Sequence, residues 1–247
     1  MDAVTTGPHQ QQHPRARERP DAHPIRRLLL PIDALGPRDT TARVVQLLVG
    51  LVLYGIALAM LIRADLGVGP WDVFSLGLAV HLPMSYGMAT IAVSALVLLV
   101  WIPLRQRPGI GTLLNAVLVG PSADVGLLLI PEVQGLWAQV PLLVGGMVLL
   151  AFATGLYIAP QLGPGPRDGL MTGIVRITGW RVWIVRTLIE GTVLLLGWLL
   201  GGPVGVGTVI FAFGIGPLIG IFLPLFARRR EATVARLTSR RGADPRR

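Results

Sequence analysis

Long apolar segments alternate with short segments rich in glycine, proline or polar residues along most of the chain. A run of about 20 apolar residues is long enough to cross a bilayer as an α-helix. The chain contains six such runs, at residues 44–62, 86–104, 110–130, 140–159, 182–200 and 206–226, and two shorter apolar pieces, at residues 73–82 and 169–177. This pattern predicts an all-α polytopic membrane protein with about six transmembrane helices.

A seven-residue motif of the form LGxGPxD precedes each of the two short pieces. Its copies are Leu66–Asp72 and Leu162–Asp168. Glycine and proline interrupt a helix, whereas proline at the first position and aspartate in the first turn favour the start of a new one. We therefore expect each motif to break a membrane helix and begin a half-helix. The residues expected to form the backbone breaks are Gly67, Gly69, Pro70, Gly163, Gly165 and Pro166.

The two motifs belong to a duplicated unit. Leu66 and Leu162 lie 96 positions apart. The same offset relates Gly109–Thr112 to Gly205–Thr208, and Gly120–Pro121 to Gly216–Pro217. Three separate signatures that share one offset indicate an internal repeat. The expected parts of the chain are a disordered polar tail at 1–40, repeats at 41–132 and 136–227, and a basic tail at 228–247.

The number of membrane crossings in each repeat decides how the repeats are oriented. The short pieces cover only about half of a bilayer core as helices, so we expect them to be re-entrant. Three crossings per repeat then force opposite orientations, a 3+3 inverted repeat. Arginine placement agrees, since Arg105, Arg107, Arg176 and Arg181 fall in segments expected inside. If the short pieces crossed fully, the repeats would be parallel and Arg105 and Arg107 would be misplaced.

Composition narrows the class of protein. Hydrophobic residues make up 52% of the chain, and the mean hydropathy is +0.64, which is too apolar for a soluble domain. The net charge of +9 is concentrated in the tails and loops, so we interpret it as directing topology and facing lipid headgroups, with no nucleic-acid partner. The absence of cysteine excludes disulfides and thiolate metal sites. Small-residue helix faces would permit a homodimer.

Asp72 and Asp168 have two explanations. They could serve only to start the half-helices, because a carboxylate in the first turn meets unpaired N–H groups and the positive end of the helix dipole. Alternatively, the two breaks converge from opposite membrane faces and line a solute or ion pathway. Both explanations remain open at this stage.

A few further polar residues interrupt the apolar runs. Arg186 and Glu190 are four residues apart on one helix face. This spacing is compatible with an internal ion pair, with Arg186 extending toward the cytoplasmic face near Arg181, or with a proton- or cation-binding role for Glu190. Asn115 is a pathway candidate that could equally form a helix–helix hydrogen bond. Arg167 takes the place of Trp71 in the second motif, and we interpret it as a positive-inside residue.

Two other groups of residues receive structural interpretations. Four tryptophans near the ends of predicted spans are expected at the membrane interface: Trp71, Trp101, Trp137 and Trp180. Three histidines in the N-terminal tail are expected to be solvated: His9, His13 and His23. No nucleophile–base cluster, paired metal-ligand spacing or phosphate loop occurs, so we expect no enzyme activity, metal or cofactor.

The sequence resembles the bacterial YczE/YyaS/YitT family of membrane proteins, and its YczE branch in particular. The segments that carry the resemblance are LGVGPWDVFSLGL from Leu66, LGPGPRDGL from Leu162, the Arg186–Glu190 segment and GGPVGVGT from Gly201. The resemblance implies an integral protein of the bacterial cytoplasmic membrane, with about five spans often described for members. It implies no catalytic residues.

We therefore expect a multi-pass protein of the bacterial inner membrane with both termini in the cytoplasm. Its expected function is transport or permeation of an unidentified small solute or ion. The alternative is a non-transporting scaffold or accessory protein that assists a biosynthetic or export system.

Overall fold

The computed structural model describes the backbone of residues 37–242 and the side chains of residues 40–226. Most of the predicted N-terminal tail, with its three histidines, lies outside the described residues, as do the side chains of the basic tail. Helix is the only regular secondary structure in the described part. Its elements are α1 Pro37–Arg63, α2 Pro70–His81, α3 Tyr86–Trp101, α4 Ile110–Leu129, α5 Leu136–Ile158, α6 Pro166–Thr178, α7 Val182–Leu199 and α8 Val206–Gly242.

The helices are those expected of a polytopic membrane protein, which confirms the prediction of an all-α polytopic fold. Contacts divide the chain into two units, Met1–Thr40 and Thr41–Arg247. Five helices are long and apolar enough to cross a bilayer, namely α1, α4, α5, α7 and α8. Helices α2 and α3 pass the same test only together, and they are bent by 114° at the break between them. The count of crossings is therefore five, or six if the bent pair forms one.

The local chemistry of the two motifs explains where α2 and α6 begin. Each helix starts at the proline of its motif, after a glycine with extended backbone, and has the aspartate in its first turn. Proline suits this place because its fixed φ is helical and the first amide needs no partner. Gly67 and Gly163 have φ of 102° and 131°, and residues with a side chain rarely adopt these backbone angles.

The ends of two other helices show how sequence and packing cooperate. Ser85 caps α3, since its Oγ accepts a hydrogen bond from the Met88 amide at 3.1 Å. Asp124 of α4 reinforces that start by accepting from the Gly87 amide at 2.8 Å and the Ser85 hydroxyl at 2.5 Å. At the other end of the chain, α8 continues to Gly242, well past the apolar run that ends at Phe226.

Contacts between the two halves recur with the 96-residue offset. The Leu66 carbonyl accepts a hydrogen bond from the Gly207 amide at 2.6 Å, and the Leu162 carbonyl accepts from the Gly111 amide at 2.9 Å. Helix α2 packs against α7, and α6 packs against α3. Each break thus contacts residues of the other half, and the two sets of contacts are related by the same 96-residue offset.

Candidate functional site

The two LGxGPxD motifs meet inside the protein. The guanidinium of Arg167 lies over the Trp71 ring, 5.2 Å from its centroid, and Nη1 of Arg167 lies 3.4 Å from Oδ1 of Asp72. Trp71 and Arg167 hold the same position in the two copies of the motif. The side chain of Arg167 is 21% exposed and that of Asp72 is 4% exposed, so this pair is largely removed from solvent.

Each motif aspartate also accepts a hydrogen bond from a tyrosine. The hydroxyl of Tyr86 donates to Asp72 Oδ1 at 2.9 Å, and the hydroxyl of Tyr157 donates to Asp168 Oδ2 at 3.2 Å. The Tyr157 ring packs edge-on against Tyr54 of α1, with centroids 5.8 Å apart. The aspartates therefore connect the half-helices to neighbouring helices through side-chain contacts.

The second charge pair of the site lies on α7. Nε of Arg186 is 2.9 Å from Oε1 of Glu190, and the two side chains are 42% and 29% exposed. The structure thus contains the ion pair, which was one of the three interpretations of this i, i+4 spacing, with both side chains partly buried.

Two cavities lie beside the meeting point of the motifs. The larger has a volume of about 120 Å³ and the smaller about 50 Å³. Both are lined by the same four residues: Tyr54, Tyr157, Arg167 and Asp168. The two spaces therefore adjoin each other at these four residues. A water molecule occupies about 30 Å³ in the liquid, so the cavities are of a size suited to ions, waters or very small solutes.

The linings of the two cavities are related by the same offset as the motifs. Nine of the ten residues that line the smaller cavity have a counterpart 96 positions away in the lining of the larger one. The chemistry differs at five of these positions. Tyr54 and Arg167 correspond to Leu150 and Trp71. Thr90, Ser94 and Asn115 of the smaller cavity correspond to Arg186, Glu190 and Phe211. The smaller cavity therefore carries uncharged oxygens where the larger carries an ion pair and an aromatic ring.

The structure brings the sequence-predicted site residues together. Asp72, Asp168, Arg186 and Glu190 line the larger cavity, and Asn115 lines the smaller one beside Asp168. The motif residues Gly69, Pro70, Gly165 and Pro166 also line these cavities. Gly67 and Gly163 lie outside the linings and face Gly205 and Thr112 of the opposite half.

Sequence reasoning missed several residues of this region. Arg167 was interpreted as a positive-inside residue, and nothing in the local sequence indicated that its side chain turns toward Asp72. The spacing of the tyrosines gave no signal either. Trp101 was expected at the membrane interface, and this is wrong: its side chain is 2% exposed, and its Nε1 donates to the Pro166 carbonyl at 3.1 Å. Trp137 and Trp180 are 84% and 52% exposed.

The site does not resemble a transition-metal centre. Within the described residues, no three His, Asp or Glu side chains lie close enough together to hold a metal ion. The ionisable groups instead surround the two cavities between the helices.

The fold and the apolar helices define an integral, multi-pass membrane protein. The chain belongs to DUF6198, described as a family of unknown function, whose profile matches residues 41–224. This finding and the relatives confirm the resemblance seen in the motifs. No solved structure matches the chain with significance.

Three relatives illustrate the family. An uncharacterized protein of Haemophilus influenzae is 38% identical over 182 residues, which cover 74% of this chain and 84% of that protein. The uncharacterized membrane protein YczE of Bacillus subtilis is 34% identical over 198 residues, covering 79% and 92%. The uncharacterized protein YyaS of Bacillus subtilis is 24% identical over 184 residues, covering 73% and 92%.

Proposed function

We propose that the protein transports or conducts a small solute or ion through the region where the two LGxGPxD breaks meet. The observation that carries this proposal is the pair of cavities around Arg167 and Asp168, lined by two arginines, three carboxylates and polar side chains. Ionisable groups within the membrane are costly and are typical of substrate or ion pathways. Broken helices that line a cavity near the bilayer midplane are a common plan of secondary transporters.

The architecture proposed for this function is an inverted repeat. A two-fold relation makes residue i of one half contact residue j of the other, with the reverse contact also present. The hydrogen bonds from Gly207 to Leu66 and from Gly111 to Leu162 form such a pair. Equivalent residues that contact each other, as Trp71 and Arg167 do, lie next to the axis of that relation.

The lengths of the helices favour an axis in the membrane plane. Helices α2 and α6 contain 12 and 13 residues, which span about 18–20 Å at 1.5 Å per residue and fall short of a core of about 30 Å. With the bent pair of α2 and α3 counted as one crossing, each half crosses the membrane three times, through α1, α3 and α4 or through α5, α7 and α8. An odd number of crossings places the two halves in opposite orientations. With the arginine-rich segments inside, both termini are cytoplasmic in the bacterial inner membrane.

A transport role accounts for a feature that a purely structural role leaves unexplained. Breaking a buried ion pair is destabilising, yet replacing both partners with apolar residues is often neutral or favourable. The Asp72–Arg167 pair is therefore poorly explained by stability alone. A pathway for a polar solute gives these charged groups a use.

The test is solute uptake by vesicles that contain the purified protein. Wild-type vesicles are expected to accumulate at least one solute or ion from a panel of small candidates. Arg167→Gln, which removes the charge at the centre of the site, is expected to abolish that uptake. Arg176→Gln is a suitable control because Arg176 lies outside both cavities, where it donates to the Leu104 carbonyl.

The contrary result would be absence of flux for every candidate, together with stoichiometric co-purification of a second membrane protein. That outcome would favour the alternative function, a scaffold or accessory protein.

A further inference from the structure

Three carboxylates surround the two cavities, and the structure supplies positive partners for two of them. Asp72 pairs with Arg167 at 3.4 Å, and Glu190 pairs with Arg186 at 2.9 Å. Asp168 forms no ion pair within the described residues, and its side chain accepts a hydrogen bond only from the Tyr157 hydroxyl. One negative charge of the site is therefore left without a cationic side chain.

The smaller cavity, which Asp168 lines, also contains uncharged oxygen donors without partners. Thr90 is 3% exposed, and its Oγ1, which has the Tyr86 hydroxyl as a neighbour, makes no hydrogen bond of regular geometry in the described part of the chain. The side chains of Ser94, which is 5% exposed, and Asn115, which is partly buried, also take part in no hydrogen bond among the described residues. Of the three, only Thr90 has a fully buried polar side-chain atom without a partner. Buried polar atoms without partners are rare in proteins and call for a specific explanation such as a bound water or ion.

The equivalent positions in the other half carry charged side chains in place of these hydroxyl groups. Thr90 corresponds to Arg186, and Ser94 corresponds to Glu190. In the larger cavity, the protein itself provides a positive charge at the place where the smaller cavity has only the Thr90 hydroxyl. It also provides a negative charge, that of Glu190, at the place of Ser94, so the two cavities differ by an ion pair that is neutral as a whole.

We infer that the smaller cavity binds one sodium ion, held by the carboxylate of Asp168 and the oxygens of Thr90, Ser94 and Asn115. A carboxylate with hydroxyl and amide oxygens is a donor set suited to a hard cation. A volume of about 50 Å³ accommodates such an ion with at most one water. The residues at a helix break are also a common place for coupling ions in transporters.

Two simpler occupants explain less. A proton on Asp168 would neutralise the carboxylate but would leave the three uncharged side chains without partners. A water molecule would satisfy those side chains but would leave the charge of Asp168 unbalanced. A monovalent cation accounts for both observations at once.

The charged and titratable groups around Asp168 come from every neighbouring element. They are Tyr54 of α1, Asp72 of α2, Tyr86 of α3, Tyr157 of α5, Arg167 of α6, and Arg186 and Glu190 of α7. With the two ion pairs counted as neutral and the tyrosines protonated, the formal charge of this group with Asp168 is that of a single carboxylate. One monovalent cation balances it.

This inference deepens the proposed transport function. The role of the bound sodium ion in transport rests on that function, whereas sodium binding itself does not. Binding itself can be measured at equilibrium without flux. A protein that binds sodium but moves no solute would contradict the transport proposal alone, whereas transport without sodium binding would contradict the inference alone.

The experiment is equilibrium binding of radioactive sodium to the full-length protein in lipid nanodiscs, with N-methylglucamine chloride keeping the ionic strength constant. Wild-type protein is expected to bind one sodium ion per chain in a saturable manner. Thr90→Val removes one oxygen at nearly constant volume and is expected to raise the Kd about tenfold or more, which corresponds to about 1.4 kcal/mol per factor of ten. Asp168→Asn is expected to abolish measurable binding.

Two variants separate a loss of binding from a loss of folding. Thr90→Ser keeps the hydroxyl and is expected to retain a Kd close to that of the wild type. Thr154→Val makes the same chemical change at a buried threonine of the larger cavity, where Oγ1 already donates to the Leu150 carbonyl, and is expected to leave sodium binding unchanged. Absence of saturable binding by the wild type, or equal Kd values for Thr90→Val and Thr90→Ser, would overturn the inference.

Discussion

The guanidinium of Arg167 lies 5.2 Å from the centroid of the Trp71 ring, and these two residues occupy the same position of the repeated motif. A cation over the face of an indole is attracted by the ring quadrupole. The contact joins the two helix breaks directly, and it brings Arg167 to within 3.4 Å of Asp72. Divergence of one residue in the motif, tryptophan in one copy and arginine in the other, thus creates an interaction that two identical copies would lack.

The first prediction concerns the Asp72–Arg167 pair. Asp72→Asn leaves a largely buried guanidinium without its counter-charge, and we expect it to lower the free energy of unfolding by about 3 kcal/mol. The double variant Asp72→Asn/Arg167→Gln is expected to recover part of that loss, since it removes the uncompensated charge. Thermal unfolding in detergent micelles measures both effects.

The control for this prediction is Glu132→Gln. Glu132 pairs with Arg63 at 2.6 Å, but the Glu132 side chain is 84% exposed. Loss of this ion pair is therefore expected to lower the free energy of unfolding by less than about 1 kcal/mol. Strictly additive effects of the Asp72 and Arg167 substitutions would show that the two residues do not interact.

A second prediction concerns the glycine that begins the second break. Gly163 has φ of 131°, and a Cβ there would lie 2.7 Å from Oγ1 of Thr112. Gly163→Ala is therefore expected to combine backbone strain with a steric clash and to lower the Tm strongly. Gly179→Ala is the matched control, because Gly179 also has positive φ, at 69°, but its Cβ would meet no atom within 4 Å.

Gly179→Ala is expected to lower the free energy of unfolding by only about 1–2 kcal/mol, which is the cost of a Cβ in the left-handed backbone conformation. Similar Tm values for the two alanine variants would indicate that the close approach between the break and α4 has no energetic importance.

A third prediction concerns topology. The chain contains no cysteine, so single cysteines can be introduced without a prior deletion. Arg107→Cys lies between α3 and α4, and Gln134→Cys lies between α4 and α5. In sealed inverted and right-side-out vesicles, a membrane-impermeant thiol reagent is expected to label these two positions from opposite sides, with Arg107→Cys facing the cytoplasm. Labelling of Arg107→Cys from the outer side, as expected if the short helices crossed fully and the repeats were parallel, would contradict the inverted repeat, and so would labelling of both positions from one side.

The main elements of the fold could be predicted from the sequence because membrane helices follow from local hydrophobicity. The starts of α2 and α6 at Pro70 and Pro166 follow from proline and glycine chemistry alone. The end of α8 could not be found in this way. Its apolar run stops near Phe226, but the arginine-, alanine- and leucine-containing segment beyond it has good helix propensity and continues the helix to Gly242.

The site was less accessible to sequence reasoning because its contacts are long-range. The aspartates and the Arg186–Glu190 pair stood out as charges in apolar surroundings. Arg167 did not, since an arginine near a predicted cytoplasmic end has an ordinary explanation in the distribution of positive charge. Trp101 was misinterpreted for a similar reason: its place at the end of a span suggested the interface, whereas Gly169 leaves room for its ring inside the protein.

The proposed pathway requires water to reach the cavity where the two breaks meet, and thiol labelling measures that access. Thr154→Cys places a thiol of similar size in the lining of the larger cavity, and Ala151→Cys places one on the same helix, three residues away, at a site that is fully buried and lines neither cavity. A small water-soluble thiol reagent is expected to modify Thr154→Cys in membranes and to leave Ala151→Cys unmodified. Equal inertness of the two cysteines would show that the site is dry and would contradict the account.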